Sequence, residues 1–276
     1  MLSSCNLEFG FRKVEVAAGF SLRFKKFMII LKSAKEIKKM RRGGQIVAQV
    51  CQKLTEKVRP GISTEELDRV ASTLIRMNRA VPAFLGFRGF PASICTSVND
   101  QVVHGIPGSY RLREGDIISI DFGVIYQGYY SDMAVTLPVG NVSRDAQRLI
   151  EVTKSALDSG ITQMVPGNKL YDISAAIQEC AENNGFSVVR ELVGHGIGQK
   201  MHEEPQIPNF GKRSTGPYLK AGMVFALEPM VNMGGYEVKT LEDNWTVVTA
   251  DGSLSCHFEH TVAITDNGPE ILTELH

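Results

Sequence analysis

The chain has 276 residues, 43% hydrophobic and 22% charged, with a formal net charge of zero. That is enough chain to bury a large core in one sizeable domain or two modest ones, and no apolar run approaches the roughly 18 residues a membrane-spanning helix needs. Five cysteines, scattered and without a C-x-x-C pair, argue against a disulfide framework or a thiolate zinc site and for a reducing compartment.

Charge is unevenly spread. The first 50 residues hold eleven Lys and Arg against three Glu. A basic face of that kind meets RNA or an anionic surface in some proteins; a solvated helix face with a basic tail is the simpler reading. Residues 1–27 have no clear helical period and read as a flexible N-terminal extension, and 28–276 as one catalytic domain. Glu8 and Glu15 speak against a transit peptide, and a secretory signal's apolar core is missing, so a cytoplasmic protein is expected.

From Ser33 the chain becomes legible. Ser33-Ala34-Lys35-Glu36 has the form of a capping box and opens a helix to about Lys57, which Pro60-Gly61 ends. Ser63 to Glu66 caps a second helix running to about Asn78. Short strand-like runs through Cys95 and Val103 precede two stronger strands, Asp116–Tyr126 and Tyr129–Leu137, separated by Gln127-Gly128. The order then recurs: a helix over Arg144–Gly160, a break at Pro166-Gly167, and a helix to about Asn184 with Gly185 as its stop. Strands follow around Val188, Met223–Met230 and Phe258–Ile264. Pro60-Gly61 matches Pro166-Gly167, Gly115 before Asp121 matches Gly222 before Glu228, and Asp132-Met133-Ala134-Val135 aligns with Glu259-His260-Thr261-Val262. A duplicated α-α-β-β unit accounts for these matches, and a pseudo-two-fold axis would bring the acidic strand residues of both halves together.

A hairpin turning at Gln127-Gly128 pairs Asp121 with Ala134 and Asp132 with Gly123. Period-two alternation then sets both carboxylates on one face of an otherwise apolar sheet. Two unpaired carboxylates there would repel and suffer desolvation; a divalent cation resolves both problems, and neither strand offers an Arg or Lys. A single strand Asp, taken alone, reads as an exposed residue or a turn cap. Glu228 and Glu259 are likewise acids in apolar strands, with Lys239 as an alternative ion-pair partner for either. Glycines flank His195 in Gly194-His195-Gly196-Ile197-Gly198, and His202-Glu203-Glu204-Pro205 follows without the spacing of H-E-x-x-H enzymes. A lone histidine is more often structural than a ligand; the glycines and the second histidine favour function here. Two Asp, two Glu and one His suit Mn, Fe(II), Co or Zn. Four carboxylates exceed one ion's needs, which points to a pair of ions about 3.5–4 Å apart.

Together these segments resemble the type I methionine aminopeptidases over about Met28 to Leu272. The likeness is carried by Ser97-Val98-Asn99-Asp100 through His104-Gly105-Ile106-Pro107, Ile120-Asp121 with Ser131-Asp132, the His195 glycine segment, His202 to Pro205, Leu227-Glu228-Pro229-Met230, and Glu259-His260-Thr261. The resemblance implies an α+β pita-bread fold, a curved antiparallel sheet with outer helices. It implies two divalent ions held by Asp121, Asp132, His195, Glu228 and Glu259, with Asp132 and Glu259 bridging. His104 would contact the scissile amide, His202 would stabilise the oxyanion, and Glu228 would accept the proton of the attacking water. Cys95, Phe90 and Trp245 would line the methionine pocket. Gly123 stands where many members have Thr, while Phe90 and Met201 stand where Tyr and Phe are common. Glu259 follows Glu228 too closely for the helical insertion of type II enzymes.

The implied reaction is removal of the initiator methionine from nascent polypeptides with a free amine and a small second residue, by a monomer with no membrane partner. A ribosome contact rests only on the basic N-terminal segment. The rivals are a prolidase-like dipeptidase, for which too little chain precedes Ser97, and a non-catalytic peptide- or RNA-binding member, which the intact ligand set disfavours.

Overall fold

The computed structural model describes residues 28–275, and the extension expected over 1–27 lies outside the described residues. Four helices form where their caps predict: α1 (Ala34–Thr55), α2 (Thr64–Met77), α3 (Arg144–Thr162) and α4 (Leu170–Asn183). Before α1, Glu36 accepts the Ser33 backbone N–H at 2.7 Å. Before α2 the box is reciprocal: Glu66 donates its N–H to Ser63 Oγ at 3.2 Å and accepts from Ser63 N–H at 2.8 Å. Ser143 Oγ accepts the Ala146 N–H ahead of α3.

A nine-stranded sheet, curled and antiparallel, runs in the order Val81–Pro82, Ile117–Tyr126, Tyr129–Pro138, Glu259–Thr265, Val224–Leu227, Val193–Gly196, Glu203–Pro208; Cys95–Val98 adds to Ile117–Tyr126 and Gly268–Ile271 to Glu259–Thr265. Its strands alternate faces. Ile118, Ile120, Phe122 and Val124 join α1 and α2 in one core, while Phe225, Leu227, Val262 and Ile264 join α3 and α4 in another. The intervening residues, Asp121, Asp132, Ala226 and Thr261 among them, face the concave side.

The two halves are built alike down to single hydrogen bonds. Gly61 N–H donates to Leu112 O and Leu112 N–H to Ile62 O, at 2.7 and 2.9 Å; Gly167 N–H donates to Leu219 O and Leu219 N–H to Asn168 O, at 3.1 and 2.8 Å. Gly61 and Gly167 have φ of 91° and 95°, and Gly115 and Gly222 both 90°. The alignment of the second strands shifts, however. Val139 N–H donates to Asp116 O as Ile264 N–H does to Met223 O, so Glu259 occupies the place of Ala134 and His257 that of Asp132, two residues from the match read in the sequence. A two-residue shift keeps side chains on the same face.

The strand expected over Met223–Met230 is divided. Val224–Leu227 pairs in the large sheet, and Met230–Asn232 pairs with Ser255–His257 in a separate three-stranded one. Pro229 has no N–H to give the ladder, and Phe258 N–H reaches Pro229 O at 3.3 Å across the break. Glu228, His257 and Glu259 therefore sit where the backbone leaves one sheet for another.

A Cβ at Gly61 or Gly167 would meet nothing within 4 Å, so an alanine there pays only for left-handed backbone. Gly61→Ala and Gly167→Ala should each lower the urea unfolding free energy by about 1–2 kcal/mol. A cost confined to one of them would contradict the equivalence of the two turns.

Candidate active site and metal centre

The hairpin has the register its turn predicts, Asp121 opposite Ala134 and Gly123 opposite Asp132. Ala134 in turn faces Glu259, and Cys95 faces Asp121, so one row across the sheet reads Cys95, Asp121, Ala134, Glu259. Asp132 lies diagonal to Asp121 and is clamped to the second half: its N–H donates to Thr261 Oγ1, which donates back to Asp132 O, both at 2.8 Å. His195 pairs with Ala226 on the neighbouring strand, and Glu228 lies two residues beyond Ala226, just past the strand's end.

Asp121, Asp132 and Glu259 are 8%, 4% and 3% exposed. Glu228 Oε1 lies 3.5 Å from His195 Nε2, and its Oε2 lies 3.8 Å from His257 Nε2. The His195 ring is fixed from behind by a 2.9 Å hydrogen bond between Nδ1 and Gly196 O. With the proton on Nδ1, Nε2 presents its lone pair to the carboxylates, the arrangement that second-shell carbonyls impose on metal-binding imidazoles. Two groups of donors lie within 4.8 Å of one another, Asp132–His195–Glu259 and Glu228–His257–Glu259.

These residues line a cavity of about 770 Å³, and all ten residues singled out in the sequence reach it. Its apolar wall is the cluster of Phe90, Ala92 and Cys95 with Phe84, Ile106 and Trp245. Phe90 meets Trp245 edge-on at 5.0 Å, and His104, held at φ 60°, stands 6.4 Å from Trp245. His202 lies 4.4 Å from the His195 ring and 5.5 Å from Phe87. Lys239, the alternative partner for the glutamates, lines the same cavity but is exposed and makes no ion pair with either among the described residues. Sequence reasoning gave no role to Phe84, Phe87, Arg88 or His257. For His257 the signal was available: it lies two residues before Glu259, on the same face of a strand. At Gly123, a Cβ would meet Ser131 O at 2.9 Å and Asp132 Oδ1 at 3.2 Å, so the local backbone has closed over the space a larger residue would fill.

Burial sets the electrostatics. Desolvation raises Asp132 to about 7, and burial plus the Asp132 charge pushes Asp121 well above the carboxylate range. Glu228 and Glu259 are driven up in the same way, each by burial and then by neighbouring carboxylates. Burial lowers His195 to about 3 and both His104 and His202 to about 4, so all three rings are neutral donors or acceptors. Asp121 Oδ1, Glu259 Oε1 and both ring nitrogens of His257 have no hydrogen-bond partner. Orphaned oxygens and nitrogens of this kind, converging in a buried pocket, fit divalent cations of the Mn, Fe, Co or Zn type.

In the metal-free protein a raised carboxyl pKa stabilises the fold while the group keeps its proton, and that contribution is lost as pH rises through the folded value. The depressed histidines act at lower pH, as they lose stability when pH falls below their unfolded value of 6.5. Metal-free protein should therefore lose stability as pH rises from about 6.5, where the opposing histidine contribution is complete, through the folded carboxyl values, about 7 for Asp132 and higher for its neighbours. Thermal melts with and without Mn(II) test this, with added metal expected to flatten the alkaline slope. A pH-independent melt of the metal-free form would contradict the electrostatic picture.

The sequence signature of metallopeptidase family M24 matches residues 38–266. The methionine aminopeptidase of Clostridium perfringens is 58% identical over 89% of this chain and 99% of its own length, and that of Escherichia coli 45% identical over 89% and 94%. The crystal structure of the Thermotoga maritima methionine aminopeptidase superposes with a TM-score of 0.89 at 44% identity, covering 90% of this chain and all of that one. Prolidase from Pyrococcus furiosus, 22% identical with a TM-score of 0.68, shares the fold alone. With the whole length of such relatives spanned at these identities, the chain belongs to metallopeptidase family M24, among its methionine aminopeptidases.

Proposed function

We propose that the protein is a two-ion hydrolase that releases methionine from the free N-terminus of nascent polypeptides whose second residue is small. The observation that carries this reading is the meeting, in one cavity, of four buried carboxylates and an oriented imidazole with a soft, aromatic wall. Asp121, Asp132, His195, Glu228 and Glu259 would hold the ions, since Asp121 Oδ1 and Glu259 Oε1 have no other partner among the described residues and no cation there compensates the buried charge. When bound, the ions would supply Lewis acidity and a nucleophile at neutral pH.

The remaining steps belong to side chains. Phe90, Cys95 and Trp245 bind an unbranched thioether, a polarizable chain that packs well against sulfur and ring edges. Cys95 does so as a thiol, because burial and the facing Asp121 push its pKa up; it is wall, not nucleophile. His202, neutral and set beside the His195 and Phe87 rings, donates a hydrogen bond to the oxyanion as the carbonyl becomes tetrahedral. His104 at the rim contacts the scissile amide, and Glu228 takes the proton of the attacking water. The names of the close relatives support the same chemistry. Among the described residues no helix is long and apolar enough to cross a membrane.

Metal-stripped protein, reloaded with Mn, Co, Fe(II) or Zn, should release free Met from Met-Gly-Met-Met and leave Gly-Pro and an N-acetylated Met peptide intact. Cleavage of Gly-Pro instead would replace this reading with a dipeptidase. Asp121→Ala and Glu259→Ala should abolish metal-dependent turnover without unfolding the protein. His202→Ala should keep its metal affinity and lose about 10²–10³ in kcat, the usual cost of an oxyanion donor. An undiminished rate in that variant would remove His202 from the mechanism.

A further inference from the structure

The five-residue ligand set leaves one buried group unexplained. His257 is 1% exposed, lies on the concave face, and has no hydrogen-bond partner at either ring nitrogen. An imidazole so placed gives up two hydrogen bonds to water and recovers none, a cost that calls for a compensating partner. Its Nε2 points between two carboxylates, 3.8 Å from Glu228 Oε2 and 4.0 Å from Glu259 Oε2. Those distances are too long for hydrogen bonds and suit neighbouring donors around a common cation. The internal duplication adds an independent observation: in the second half His257 occupies the position Asp132 fills in the first.

We propose that His257 is a metal ligand of this chain, a second imidazole donor that acts through Nε2 together with Glu228 and Glu259. Glu228 then stands between two imidazoles, its Oε1 toward His195 and its Oε2 toward His257. The centre carries six protein donors rather than five, with a nitrogen on each side of Glu228. This rests on the metal-centre reading above and extends it to a residue outside that ligand set.

The test is metal binding by the full chain, apart from turnover. Co(II) is titrated into metal-free wild type, His257→Gln and His195→Ala by calorimetry, and the loaded proteins are made with isotopically labelled histidine for NMR. Wild type should show strongly contact-shifted ring signals from two histidines, and His257→Gln from one. His257→Gln should also bind one Co(II) equivalent about tenfold or more weakly, since even outer-shell losses cost 10–100-fold. His195→Ala should lose the other signal. Should the glutamine variant be misfolded by melting and circular dichroism, the wild-type signal count decides alone. One contact-shifted histidine in wild type, or unchanged affinities in His257→Gln, would overturn the assignment of His257 and leave the five-residue centre standing. Failure of wild type to bind Co(II) at all would overturn the metal reading itself.

Discussion

The structure is organised around a charge problem. Four carboxyl groups and the imidazoles of His195 and His257 converge at the concave side of the sheet, buried or nearly so. Ionised and unpaired, the carboxylates would repel one another at low effective dielectric, and each would bear a desolvation cost of several kcal/mol. Among the described residues no lysine or arginine pairs with them; Lys239, in the cavity wall, stays exposed. The fold tolerates the arrangement because the carboxyls hold protons or cations, never bare charge.

What keeps the groups in place is the ladder and its break. Asp121 and Asp132 ride a hairpin of two ten-residue strands in unbroken register, and the Asp132–Thr261 pair of hydrogen bonds ties that hairpin to the other half. Glu228, His257 and Glu259 are placed differently. They stand where Pro229 cannot donate and the strands pass from the large sheet to the small one. Leaving the pleat there frees the side chains from strict perpendicular projection and lets three donors from two strands converge.

The hairpin and its carboxylates were legible because they depend on period-two alternation and a two-residue turn, both local properties of the chain. The four helices were legible for the same reason, through the capping boxes Ser33–Glu36 and Ser63–Glu66 and the breaks at Pro60-Gly61 and Pro166-Gly167. The division of Met223–Met230 was not: an apolar run before Pro229 looks continuous until its partners are known, and those partners, Glu259–Thr265 and Ser255–His257, come from later in the chain. The shift of Glu259 from the place of Asp132 to that of Ala134 was hidden likewise, because matching acids by type is a reasonable guide to equivalence only where the ladder is unbroken. His257 went unassigned because the neighbouring Glu259 and His260 matched a known pattern; its two-residue spacing from Glu259 hinted at a shared face, but its lack of partners among the described residues shows only in the coordinates.

The duplication also explains why the two halves supply different chemistry at equivalent positions. Asp121 and Glu228 are counterparts, both acids. Asp132 and His257 are counterparts too, one acid and one neutral imidazole. In the proposed centre four carboxylates would carry the charge that two divalent cations balance. Glu259, contributed at the position where the first half has Ala134, already brings the count to four. A fifth acid at position 257 would leave the buried centre with an uncompensated negative charge, and at this burial that charge would be expensive. An imidazole there adds a donor without adding charge. The asymmetry between the halves is thus what a neutral dinuclear centre requires of a symmetric sheet: the acid gained at Glu259 is offset by a neutral ligand at His257.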